Sequence, residues 1–131
     1  MKNTKILVRI FSAITLILIL MASLSSCVQL TDKQEKACSK ADEIFEGTSE
    51  IIQANFSRKI KKIDGKTVYI AKLASNHATQ QKAVDLKNII YPAAKSTLED
   101  VGIVLVIEYG DSKDNHYRMF DASKINENKL K

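Results

Sequence analysis

Asp64-Gly65 sits between two arms rich in β-forming residues, Phe56 to Ile63 and Lys66 to Leu73. No other pair in the chain constrains the fold as tightly. A two-residue Asp-Gly loop places both residues at positive φ, and its twist matches that of an antiparallel hairpin. Closing the turn here sets the register, with Ile60 opposite Tyr69 and Phe56 opposite Leu73. Side chains alternate across a strand, so Phe56, Ile60, Tyr69, Ala71 and Leu73 share one side, the expected core face. Lys59, Lys61 and Lys72 fall on the other side, beside Val68 and Ile70.

The flanking segments have helical periodicity. Thr31 or Asp32 opens a helix, with Gln34 and Glu35 at capping-box spacing. Ala37, Ala41, Ile44, Phe45, Thr48, Ile51 and Ile52 then mark one apolar face through about Asn55. Gly47 falls inside this helix, as a packing contact or a break. Ser75 or Asn76 is expected to cap a second helix through Ala83, Leu86, Ile89 and Ile90. Pro92 lacks a backbone donor, so the helix kinks there or restarts there and runs to Asp100, with Gly102 ending it. Ile103 to Ile107 predicts a strand covered on both faces, and His116 to Phe120 its return after a polar turn. The order helix, hairpin, helix, hairpin predicts an α+β domain. Its expected form is a four-stranded antiparallel sheet with two helices packed on one face. The halves show no residue-by-residue match that would mark a repeat.

The N-terminus follows a different logic. Lys2, Lys5 and Arg9 precede the apolar run Ile10 to Leu20, which gives way to small residues, the layout of a secretory signal. Leu24-Ser25-Ser26-Cys27 resembles the lipobox of bacterial lipoproteins. The resemblance implies a diacylglyceryl group on the Cys27 thiol, cleavage before that residue, and a mature chain that begins there. An uncleaved anchor is disfavoured because the run from Ile10 to Leu24 is shorter than the ~20 residues of a spanning helix. Two acyl chains suffice for stable membrane anchoring. Val28, where an aspartate would retain a lipoprotein at the inner membrane, implies by the same resemblance the outer membrane facing the periplasm in a Gram-negative cell. The expected organisation is a cleaved signal at 1–26, a lipidated tether at 27–31, one domain at 32–121, and a polar, fraying tail at 122–131.

Loss of the signal changes the charge. The chain carries 20 lysines and arginines and 15 acidic residues, a net charge of +5; without Lys2, Lys5 and Arg9 this falls to +2. That balance, in an exported domain, speaks against nucleic acid. With Cys27 carrying lipid, Cys38 has no partner within the chain, and is either buried or open to intermolecular pairing. His77 and His116 lack ligand spacing to each other or to Asp111 and Asp114, and are read as ordinary histidines with no metal. Asp111, Asp114 and Asn115 do not follow the order of a calcium loop and are read as a solvated turn. Neither a nucleophile elbow nor a glycine-rich phosphate loop is present, so the expectation is a non-enzyme without a cofactor other than its covalent lipid.

Charge is concentrated at the hairpin. Arg58, Lys59, Lys61, Lys62, Lys66 and Lys72 face only Asp64 within residues 56–76, whereas the first helix is net acidic. Lysines on a strand can simply guard its edge. The alternative is a partner surface formed by Lys59, Lys61, Lys62, Val68, Ile70 and Lys72. The expected function is accordingly a membrane-anchored envelope lipoprotein acting as a protein-binding module, of the envelope-assembly, immunity or inhibitor type. A small-ligand carrier or sensor with a pocket between sheet and helices is the alternative.

Overall fold

The computed structural model describes residues 28–113 and 115–130. In chain order these form helix α1 (Asp32–Ile52), strands β1 (Asn55–Ile63) and β2 (Lys66–Ala74), and helix α2 (Gln80–Asp85). A π turn (Leu86–Ile90), helix α3 (Tyr91–Glu99), strands β3 (Ile103–Gly110) and β4 (His116–Phe120), and a 3-10 turn (Glu127–Lys129) follow.

The fold is α+β, with one four-stranded sheet in the order β1-β2-β3-β4 and the helices packed on one of its faces. The sheet is mixed, which corrects the all-antiparallel expectation. β1 and β2, and β3 and β4, are antiparallel, but β2 and β3 run parallel. The cause is the crossover: the helical segment carries the chain back along the sheet, so β3 starts at the end where β2 started.

The turn at Asp64-Gly65 has φ of 52° and 78°. It sets Ile60 against Tyr69 and Phe56 against Leu73 in a ladder without a bulge from Asn55–Ala74 to Ile63–Lys66. α1 opens with a full capping box. Thr31 Oγ1 accepts from the Gln34 amide at 3.2 Å, and the Gln34 side chain accepts from the Thr31 amide at 3.1 Å. Ala37, Cys38, Ala41, Phe45, Thr48 and Ile52 form its buried stripe. Ile51 lies off that stripe, 83% exposed, contrary to its assignment from periodicity. Gly47 neither breaks the helix nor packs closely, for a Cβ there would meet nothing within 4 Å.

The second helix is capped by Thr79, whose side chain accepts from the Lys82 amide, and not by Ser75 or Asn76. Ser75 instead donates to the Gln53 carbonyl at 3.0 Å, joining the end of β2 to the end of α1. The π turn accommodates Pro92: the Tyr91 amide reaches back to the Leu86 carbonyl, and Pro92 then enters the first turn of α3.

Two apolar clusters flank the sheet. On the helix face Phe45, Tyr69, Leu73, Leu86, Leu98, Leu105, Ile107 and Tyr109 are fully buried. The space between sheet and helices, where a ligand pocket was the alternative expectation, is occupied by this continuous cluster. A polar network also ties α1 to the hairpin. The Tyr69 hydroxyl donates to Asp42 at 2.5 Å, and Arg58 pairs with the other Asp42 oxygen at 3.3 Å.

The second cluster lies on the outer face. Ile63, Val68, Ile70 and Val106 are covered there by Ile125 and Leu130. The C-terminal segment therefore differs from the polar, fraying tail expected of it. It lies along the sheet and is fastened by Lys129 to Asp64 and by Lys66 to the Lys124 carbonyl.

Candidate functional site

The C-terminal segment covers only half of the outer face. Register shows what the other half presents. Ser57, Lys72, Glu108 and Arg118 form one row straight across the four strands. The next row is Asn55, Ala74, Gly110 and His116. Lys59 and Lys61 stand on the same face of β1, an edge of the sheet, but in the rows of Ile70 and Val68 that the C-terminal segment covers.

Charge on this surface is unevenly balanced. Glu108 is engaged by Arg118 at 3.5 Å, and Arg118 also reaches Glu127 at 3.8 Å. Among the described residues, Lys59, Lys61, Lys62 and Lys72 have no carboxylate within ion-pair distance. Arg58, by contrast, is paired with Asp42, and Lys66 and Lys129 are occupied in fastening the C-terminal segment. Three free ammonium groups, from Lys59, Lys61 and Lys72, thus stand on one side of the sheet. Lys62 is exposed on the helix side of the hairpin tip.

Val68 and Ile70 are buried. Val68 is 0% and Ile70 5% exposed. Ile125 and Leu130 seal them with Val106, so the two apolar residues expected on a partner surface are not exposed.

Where β2 and β3 end, a cleft of about 670 Å³ opens. His77 and His116, remote in sequence, both line it, as do Lys72, Glu108, Asp111 and Arg118. The parallel central pair is responsible, since it brings two strand C-termini and the segment leading to α2 to one end of the sheet. Gly110 forms part of the floor: a Cβ there would lie 2.3 Å from the Asn115 carbonyl oxygen and 2.7 Å from His116 Nδ1. Tyr109 and Tyr117 stack at 5.9 Å on the helix side, and the Tyr109 hydroxyl accepts from the Thr79 amide at 3.2 Å. This convergence was invisible in the sequence, because it depends on which strands pair.

The remaining candidates are placed as follows. Asp111 accepts from the amides of Lys113 and Asn115 and from the Asn115 side chain, the bonding of a tight polar turn. Asp114 and Cys27 lie outside the described residues. Among the described residues no group of three His, Cys, Asp or Glu side chains is arranged to hold a metal ion, and no helix is long and apolar enough to cross a membrane. Cys38 is free and fully buried, and burial pushes its thiol above the usual range. Comparisons with protein-family models, with curated proteins and with solved structures find no match.

Proposed function

We propose that the chain is an envelope lipoprotein, anchored by lipid on Cys27, whose domain is a non-enzymatic module binding an acidic protein partner. The observation that carries the binding reading is the set of unpaired lysines on the outer face of the sheet, Lys72 in its uncovered row and Lys59 and Lys61 along the β1 edge beside the covered Ile70 and Val68. In a domain of near-neutral net charge, cations without local partners focus a positive potential that steers acidic surfaces to them. The anchoring reading rests on the signal-like N-terminus and its Leu24-Ser25-Ser26-Cys27 motif.

The test is capture of partners from native envelope membranes by the acylated chain and by a variant with Lys59, Lys61 and Lys72 changed to Glu. A partner retained by the first, lost by the second, and released by raised salt supports the reading. Equal capture by both sinks it.

The cleft favours a second reading, a small-ligand carrier. On that reading the ligand sits at the strand ends, between His77, His116, Lys72 and Arg118, and not between sheet and helices. Small anions that raise the unfolding temperature of the wild type, but not of an Arg118→Ala variant, distinguish it from the first.

A further inference from the structure

Strand β1 has nine residues, no proline and no bulge, and it pairs on one side only. Its free side can be read from the turn. In a two-residue hairpin loop the residues flanking the turn, Ile63 and Lys66, exchange backbone hydrogen bonds, and such pairs then alternate along the ladder. Ile63, Lys61, Lys59, Ser57 and Asn55 therefore direct their N–H and C=O groups toward β2. Lys62, Ile60, Arg58 and Phe56 direct theirs away from the sheet. A long, unbulged edge of this kind is a template for an added strand.

The side chains say what kind of strand. On the outer face an added strand would lie beside Lys59 and Lys61, which lack carboxylate partners. On the helix face it would lie beside Phe56 and Ile60, both half-buried and packed on the core. A second copy of β1 is disfavoured, because Arg58, Lys59, Lys61 and Lys62 would face like charges across the new ladder. Resting on the acidic-partner reading above, we propose that β1 takes up an extended acidic segment by strand addition. Carboxylates of that segment would face Lys59 and Lys61, and apolar side chains would alternate with them beside Phe56 and Ile60.

The probe is a fluorescein-labelled peptide of alternating glutamate and valine, matched in length to β1, titrated against the full chain in detergent. The expected result is saturable binding, roughly tenfold or more tighter than for the same peptide with lysine in place of glutamate. The amides of Arg58, Ile60 and Lys62 should slow in hydrogen exchange on binding. A Lys62→Pro variant removes a donor that the sheet does not use. It should keep the exchange protection of β2 and β3 and lose the peptide. Lys59→Glu with Lys61→Glu should reverse the preference between the two peptides. Absence of binding overturns the proposal, as does an unchanged preference in the double variant. Binding that leaves the three outward amides unprotected also overturns strand addition, while leaving acidic recognition by the basic surface intact.

Discussion

Ile125→Ala tests whether the C-terminal segment is a structural part of the domain. Ile125 is 6% exposed and sits with Leu130, 4% exposed, over Val68, Ile70 and Val106. Truncation to alanine removes three carbons, worth ~2.4 kcal/mol at ~0.8 kcal/mol per buried carbon. A segment at the surface collapses more readily than a deep core, which keeps the cavity contribution small. The expected loss is thus about 2–3 kcal/mol, similar for Leu130→Ala. The double variant should lose less than the sum, since both side chains cover one cluster. Urea unfolding followed by circular dichroism reads this as a midpoint shift of roughly 1–2 M. Lys129→Ala is the control: it removes the exposed pair with Asp64 and should cost less than ~1 kcal/mol. If both apolar variants unfold within ~0.5 kcal/mol of the wild type, the packing of this segment contributes nothing and the reasoning fails.

Four further outcomes are expected. Tyr69→Phe removes the hydrogen bond to Asp42 and should destabilise by about 1–2 kcal/mol in urea titrations, with Asp42 still held by Arg58. Burial first, then the bond to Asp42, pushes the Tyr69 phenol far above its ordinary range, so the folded state holds a proton that the unfolded state releases near pH ~10. Stability present below that pH should fall as pH rises beyond it, with Tyr91 and Tyr109 shifted in the same direction, and Tyr69→Phe should flatten the decline of urea midpoints. Gly47→Ala, in open space on α1, should raise the unfolding free energy by up to ~1 kcal/mol, whereas Gly110→Ala must displace the Asn115 carbonyl and should lower it. Cys27→Ala should leave the precursor without lipid, read by mass spectrometry of membrane fractions; a lipidated product would refute the anchor.

What could be read from the sequence was local. The Asp64-Gly65 turn determines both the hairpin register and the division of its faces within a few bonds, and Thr31 with Gln34 forms its capping box without help from distant residues. The alternation of Lys59, Lys61 and Lys72 likewise marks the basic side from within the hairpin alone. The parallel pairing of β2 with β3 was not legible, since β-rich composition does not say which edge a returning strand will choose. Burial of Val68 and Ile70 depends on Ile125 and Leu130, two isolated apolar residues in a polar stretch with no helical or strand period. The cleft collects residues from both hairpins and the loops at one end of the sheet, so no window of sequence contains it. Ile51 shows the converse error, an apolar residue near the right helical phase that tertiary packing leaves outside.

The pairing of α1 with β1 has a directional consequence. Phe45 stacks on Phe56, Asp42 meets Arg58 further back along the helix, and the Gln34 side chain donates to the Val101 carbonyl close to the start of β3. Helix and edge strand therefore run in opposite senses where they meet, and the start of the 21-residue helix, about 31 Å long, lies over the end of the sheet at which β3 begins. On the proposed lipidation of Cys27, residues 28–31 would reach at most ~14 Å, so the start of α1 would stand within that distance of the bilayer. On that reading the proposed strand addition to β1 would take place close to the membrane, within reach of extended tails of other membrane-bound proteins.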